Sequence, residues 1–564
     1  MNIHKFANLG DLKAIRDELA KGTSVDARDE RGFTPLACAA SSQTADESML
    51  RLLIESGANV NAAVGESKEY PLGIAACSGS MRKVQLLAEA GANVRHTTES
   101  GYTVLINIMY KLFDDERLVP MIELLVKLGA ETDCETGYGE SPLSVSAHFG
   151  RFDAVSALLD AEADPSPLQW TKLMQAIALG TVDEVQTLLL EKDHRLDERD
   201  RWERTPWLLA CVTGDIAKAK LILEAGADLK DRERMGSAAL AITAEKGNVE
   251  MLSWLLDVGA DIEAVDGASN TALMLAAQAG KTDCVRLLLE AGALSNRKNE
   301  YSDSTMSMAS TEGVMRLLVG AGADISEIST ELKRTLLGLQ SVESLNVTKK
   351  EYKSGCRPRF GKSNPEVMDI PFWHEMVRAG ISAYQAKDQF NDVKNMSQAT
   401  WCYSRFGVSF TELPDGRFVQ IGGEHEDFYD PDFCIYNDVL IHEQDGQFQI
   451  MGYPEKVFPP TDFHSATYLD GFIYVVGGLG YSGSRQFGTT PIYRLNCETW
   501  KIESVASTRD KPGWIYEHKA CFDDSGLLVI SGGKICLEVK GEEEHVDNEN
   551  VFTLDLSSRV WTRA

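Results

Sequence analysis

The sequence predicts a multidomain chain: an α-solenoid of about ten short repeats in two tandem blocks, followed by an all-β domain. Three observations predict it. A Gly-Ala step or its equivalent returns at Gly57, Gly91, Gly129, Gly226, Gly259, Gly292 and Gly322, with most gaps near 33 residues. Between these steps, apolar residues recur at helical spacing. After residue 396 the period changes from helix to strand, and Gly-Gly pairs stand at Gly422-Gly423, Gly477-Gly478 and Gly532-Gly533, 55 residues apart each time.

The clearest repeat runs from Thr271 to Asn296, TALMLAAQAGKTDCVRLLLEAGALSN. Leu273, Leu275, Ala276 and Ala277 predict a first helix that Gly280 ends, because glycine accepts the left-handed cap conformation. Cys284, Val285, Leu287, Leu288 and Leu289 predict a second, ended at Gly292-Ala293. This run resembles an ankyrin repeat, and the resemblance covers residues 1 to about 345.

Residues 1–165 form the first block. Residues 1–26 lack an entry loop, and Lys5, Lys13 and Arg16 suit a capping repeat with no neighbour over its outer face. In the run ending Phe33-Thr34-Pro35-Leu36, Thr34 is expected to cap the helix, and Pro35 gives up only an N–H that is unpaired anyway. The His usual in the family is replaced by Ala37. Insertions at SSQTADES and at KLFDDERLVP, residues 111–120, map to loops on one face of a solenoid.

Residues 166–345 form the second block. ADPSPL at 163–168 breaks the pattern, and LDERDRWERTPWLLAC from Leu196 then echoes VDARDERGFTPLACAA from Val25. Thr34 and Thr205 lie 171 positions apart, as an internal duplication would leave them. The joint is either a kink at 160–180 or a continuous superhelix. The helix from Glu331 reads as a C-terminal cap.

Residues 346–395 are a basic linker and an amphipathic helix. Lys349, Lys350, Lys353, Arg357, Arg359 and Lys362 read as a strap lying against the protein's own acidic surface. Phe372, Trp373, Met376, Val377 and Ile381 give the helix an aromatic face that docks on the following domain.

Residues 396–564 hold three readable blades. Each has a strand, a polar turn, a buried strand and a Gly-Gly pair, and the second and third end on Trp500 and Trp561. This pattern resembles the kelch repeat, a four-stranded propeller blade with a late Trp packed between blades. The first blade departs from it, with Phe448 in the Trp position. A closed propeller takes four to eight blades. Three leave three outcomes: linker strands complete the array, the array stays open, or two chains self-associate.

The net charge of −29 disfavours nucleic acid and anionic membranes and favours a basic protein partner. The eleven cysteines form no CxxC pair, and no Cys/His pairing has zinc spacing. There is no secretory signal and no run long enough to span a bilayer, so a cytoplasmic protein is expected. No phosphate loop or nucleophile elbow is present, and neither catalysis nor a cofactor is expected.

Ankyrin stacks bind protein through hairpin tips. The resemblance implies tip positions at Arg31, Phe33, Tyr102, Tyr138, Trp202, Arg204, Arg234 and Met235, and aromatic and Arg residues are what interface hot spots favour. Trp202 is the leading candidate. A second constellation, Glu424, His425, Glu426, Asp427, Asp430 and Asp432, lies in the loop after the first Gly-Gly. It reads as a loop tip or a metal site, although neighbours on an extended chain point in opposite directions. The function expected is a non-enzymatic scaffold capturing a basic protein, in its sharpest form an immunity protein that neutralises a toxin. An adaptor recruiting clients and a metal-dependent enzyme using that loop are the alternatives.

Overall fold

The computed structural model describes residues 3–66, 68–113, 115–191, 195–323, 325, 328–339, 344–392, 398–425, 433–523 and 525–563. Contacts divide the chain into two units, residues 1–293 with 299–301, and residues 294–298 with 302–564. The division falls inside the stretch 166–345.

In the first unit, nine helix pairs run among the described residues, from Ile3–Leu9 with Leu12–Ala20 to Ala272–Gln278 with Thr282–Glu290. The Thr-Pro starts work as the sequence predicts. Thr34 Oγ1 accepts the Ala37 N–H at 3.3 Å, and Thr205 Oγ1 accepts that of Leu208 at 3.4 Å. Pro35 and Pro206 each open their helix. Where Tyr70 replaces the Thr, no side-chain cap forms. One apolar core runs from Ile3 to Leu168. The first pair leaves Lys5, Lys13 and Arg16 exposed, as a cap requires.

Hairpin fingers precede most pairs, and several are closed by a side chain at the first position. Asp29 Oδ1 accepts the N–H groups of Arg31 and Phe33 at 3.0 and 2.8 Å, and Asp200 Oδ1 accepts those of Trp202 and Arg204, both at 2.9 Å. This is the Asx turn that favours Asp at such positions. Backbone bonds join neighbouring fingers: Arg234 N–H to Trp202 O at 3.1 Å, Gly267 N–H to Met235 O at 2.8 Å and Glu300 N–H to Ala268 O at 3.1 Å.

The fourth finger residue is left-handed. Glycine takes that conformation at residues 32, 101, 139 and 236, but Glu203 (φ 59°) and Ser269 (φ 65°) carry a Cβ there. Glu203→Gly and Ser269→Gly are each expected to raise stability by about 0.5–1 kcal/mol, the relief of the left-handed penalty less the glycine entropy cost. Urea unfolding checks this, and no gain at either site would sink it.

One finger is missing. Between the helices Phe152–Asp160 and Lys172–Leu179 the segment ADPSPL forms only a 3-10 turn, Ser166–Leu168, which packs on the helix Pro142–His148. This is the joint between the two predicted blocks.

The second unit opens with a tenth pair, Thr305–Met308 and Glu312–Gly320, and the helix Thr330–Leu336. Three sheets follow, each built on four antiparallel strands, and the third gains a short parallel edge strand, Thr508–Arg509, beside Val560–Arg563. The first uses Ser409–Glu412, Phe418–Ile421, Val439–His442 and Phe448–Gly452; the second Ser465–Leu469, Phe472–Val476, Ile492–Asn496 and Ile502–Ser504; the third Lys519–Phe522, Leu528–Ser531, Phe552–Asp555 and Val560–Arg563. A smaller sheet of Trp514–Tyr516, Lys534–Val539 and Glu542–Asp547 accompanies them. The leading strands of the three larger sheets lie side by side. Thr411 Oγ1 donates to Ala466 O at 3.3 Å, and Thr467 Oγ1 repeats the bond to Ala520 O at 3.2 Å.

The double glycines stand where the next sheet's approach leaves no room. A Cβ on Gly422 would lie 2.2 Å from Thr461 O, and one on Gly477 2.2 Å from Ile515 O. Trp500 belongs to the apolar core between the first and second sheets, and Trp561 to that between the second and third. Phe448 instead faces the linker helices.

The sheets are open-ended, and no closed barrel forms among the described residues. The linker adds one short strand, Glu366–Val367, to the outer edge of the first sheet, and its helix Pro371–Ala379 packs on that sheet's face. Trp373 stacks on Trp401 with centroids 4.8 Å apart. Arg357 donates to the carbonyls of residues 398 and 399, just beyond the linker, and Arg359 pairs with Glu366 at 3.1 Å within it. On the third sheet's outer face, Cys521, Val529, Thr553 and Thr562 line up in register, a mostly small or polar row.

Three buried histidines rivet this unit. His464 Nε2 bonds Ser409 Oγ and His518 Nε2 bonds Ser465 Oγ, both at 2.9 Å, and His442 Nε2 bonds Gln420 Oε1 at 2.7 Å. Burial pushes their pKa values down, to about 3 for His442 and His464 and about 4 for His518. The unfolded chain therefore binds more protons below the ordinary value of 6.5, and stability falls as pH drops through it. Each histidine is expected to cost roughly 1.4 kcal/mol per pH unit once well below 6.5. Comparing urea unfolding at pH 7 and pH 5, His464→Gln is expected to shrink the difference, and an unchanged difference would refute the assignment.

Candidate functional site

The predicted tip residues divide by burial. Arg31 and Arg234 are exposed, as are Tyr138 at 77% and Met235 at 68%. Phe33 and Tyr102 are half-buried, with the Arg31 guanidinium 5.3 Å over the Phe33 ring. Arg204 is not a surface residue. It is buried in an ion pair with Asp200 at 2.7 Å and donates to Ala147 O at 3.0 Å.

Trp202 is also not the exposed tip that its charged surroundings imply. Its ring packs on His148 with centroids 4.3 Å apart, and its Nε1 donates to Ser144 O at 3.2 Å. The missing finger explains both corrections. No finger covers the helix Pro142–His148 from the following pair, so the finger of Asp200–Arg204 reaches back to it. Arg201 completes the bridge by donating to Gly139 O.

This bridge ends a continuous aromatic belt. Tyr102 lies 6.5 Å from Tyr110, Tyr110 meets Phe149 edge-on at 5.6 Å, Phe113 stacks on Phe149 at 5.0 Å, and His148 joins Phe149 to Trp202. Glu140 accepts both tyrosine hydroxyls, from Tyr110 at 2.8 Å and Tyr102 at 3.4 Å. Lys246 Nζ sits 5.4 Å over the Phe149 ring. Burial, with Lys246 and Arg204 nearby, lowers the His148 pKa to about 4 and keeps the imidazole neutral. Tyr110 and Phe113 remain over a third exposed, so the belt is accessible. It offers rigid apolar area with polar edges and no group positioned for bond chemistry, an arrangement suited to binding.

Sequence reasoning missed Tyr110, Phe113, His148 and Phe149. Their signal was position: they end the first helices of two successive repeats or follow them, and Phe113 lies in the 111–120 insertion. It also missed Tyr301, 70% exposed in the finger position of Met235.

Such helix pairs and fingers have a family. The family model described as "Ankyrin repeats (3 copies)" matches residues 3–98, 108–200, 173–266 and 259–329, more than half of the chain. The chain belongs to the ankyrin-repeat family. Among curated ankyrin-repeat relatives, Ankyrin repeat and SOCS box protein 3 of Homo sapiens is 28% identical over 180 residues, covering 26% of this chain and 34% of that one. B-cell lymphoma 3 protein homolog of Mus musculus is 29% identical over 164 residues, covering 28% and 35%. Ankyrin repeat and SOCS box protein 16 of Homo sapiens is 37% identical over 105 residues, covering 18% and 22%. The chain thus spans about a third or less of the length of these relatives.

The loop after Gly423 is partly described. Glu424 and His425 pair as a short strand with Ile435 and Cys434. Glu424 is buried and hydrogen-bonds Asp462, whose carboxyl burial raises above the usual range while its Oδ1 accepts the Gly480 N–H at 2.6 Å. Glu426, Asp427, Asp430 and Asp432 lie outside the described residues. Among the described residues, no helix is long and apolar enough to cross a membrane.

Proposed function

We propose that this ankyrin-repeat chain captures a basic protein partner on the belt running from Tyr102 through Tyr110, Phe113 and Phe149 to Trp202, without catalysing a reaction. The belt carries the reading, because half-exposed Tyr and Trp held by rigid neighbours are what hot spots are made of. Glu30, Glu66, Glu99, Glu135, Glu203 and Glu300 are exposed along the fingers, and together with the net charge of −29 they favour a basic partner. Neutralisation of a basic toxin, as by an immunity protein, is the sharpest form of this reading. Eleven cysteines without a CxxC pair or a regular framework support a cytoplasmic setting.

The test is affinity capture with the tagged chain across a salt series, alongside Tyr110→Ala/Phe113→Ala. Both positions are partly exposed, so the variant should fold, and its melting temperature checks that. One small basic protein retained through high salt by the parent, and at least about tenfold less by the variant, is the expected result. Equal retention by both would remove the belt from the reading.

An adaptor is the second reading, and the β unit favours it by adding a separate surface. We read residues 396–564 as a kelch-like partial propeller, supported by the crowded double glycines and the Trp500 and Trp561 packing. Several clients retained through distinct surfaces would select the adaptor. The polar row on the third sheet's outer face weighs against self-association there.

A further inference from the structure

We propose a zinc site formed by Cys536, Glu543 and His545 on the hairpin of Lys534–Val539 and Glu542–Asp547. It is independent of the binding belt and of the loop after Gly423. Lys540 (φ 56°) and Gly541 (φ 84°) make the two-residue turn, and both are left-handed as such a turn requires. That turn sets a register in which Cys536 faces His545, with Glu543 two residues earlier on the same face. Nine positions separate the cysteine from the histidine, so only the pairing brings them together.

Cys536 Sγ lies 2.8 Å from Glu543 Oε1 and 3.9 Å from His545 Nε2, and Nε2 lies 3.1 Å from Oε1. Bonds of roughly 2.0–2.3 Å in a tetrahedral zinc site put its ligand atoms about 3.3–3.6 Å apart, so the three need shift by only a fraction of an ångström. Thiolate, imidazole and carboxylate together suit zinc better than calcium or magnesium, which take oxygen. The thiolate and carboxylate bring two negative charges, the carboxylate's being shared with the Arg485 guanidinium.

The surroundings orient the ligands. Tyr516 Oη lies 2.8 Å from His545 Nδ1. With Nδ1–H donating to that oxygen, Nε2 keeps its lone pair for the ion, the usual outer support of a metal-bound histidine; Cys536 Sγ stands 3.7 Å from Nδ1 and 3.9 Å from Nε2, so the ring turns to aim Nε2 at the ion. Arg485 ion-pairs with Glu543, stands 3.8 Å from Cys536 Sγ, and is anchored on Leu479 O and Gly480 O at 3.0 and 2.9 Å. It holds the carboxylate in place and leaves the other lone pairs for the ion. Cys536 is buried while His545 is 39% exposed, so the ion enters from the His545 side and a water takes the fourth position.

The test is titration of the reduced, metal-free full chain with cobalt(II), followed by zinc competition. The expected result is one equivalent of cobalt with four-coordinate visible bands and a thiolate-to-cobalt charge-transfer band, displaced by zinc. Cys536→Ser abolishes the charge-transfer band, and His545→Ala, at a 39% exposed side chain, weakens binding at least 100-fold. Tyr516→Phe weakens it about tenfold. Cys521→Ser, on an exposed thiol elsewhere, changes nothing. Failure to bind a stoichiometric equivalent overturns the proposal, and so does binding that His545→Ala leaves intact.

Discussion

Asp438→Ala lowers the unfolding free energy of the unit 302–564 by about 3–5 kcal/mol, the range for stranding a buried charge. Asp438 is buried in an ion pair with Arg405, which donates to Asp438 Oδ2 through Nη2 at 3.0 Å. Trp401 Nε1 donates to the same oxygen at 2.7 Å. The guanidinium also reaches Cys402 O and Gly422 O and lies 3.6 Å over the Tyr436 ring. Without Asp438 those carbonyls and the ring remain, but no negative charge does. Urea unfolding followed through tryptophan fluorescence reads the loss. Arg405→Met with Asp438→Leu should recover more than half of it, since removing both charges removes the stranded one. A double variant no more stable than Asp438→Ala would show that the charge is not the cause.

In the repeat stack, Arg204→Ala is expected to cost about 3–5 kcal/mol for the same reason, because it leaves the Asp200 carboxylate buried without its cation and removes one donor from Ala147 O. Trp202→Ala, which loses ring packing and one hydrogen bond, should cost about 3 kcal/mol. Arg31→Ala, at the matching finger position in the first block, should change stability by less than about 0.5 kcal/mol, since Arg31 is exposed. Urea midpoints of the three variants decide it, and equal losses for Arg204→Ala and Arg31→Ala would contradict the bridging role.

The helix pairs were legible because Gly-Ala steps and Thr-Pro starts act locally: a hydroxyl three residues from its N–H needs no tertiary context. The sheets were legible because the next sheet's approach demands glycine at Gly422 and again at Gly477, whereas Gly532, with no such approach, has open space. Trp202 was misread because local charge marks a residue as exposed, whereas its burial depends on a finger absent some thirty residues earlier. The belt was missed because each ring ends a different helix and only stacking assembles them. The nine positions from Cys536 to His545 match no metal-binding spacing along the chain, because the meeting of these two residues depends on hairpin register.

A linear stack melts like a row of dominoes, since each repeat is held by its two neighbours. A joint lacking a finger is where a boundary between ordered and melted repeats would settle. The residues that skip over that joint supply a second-neighbour link, and a boundary on either side of it must break that link. The weakest place along the row is thereby denied the role of fracture line, and the helix pairs on either side of it are expected to melt together.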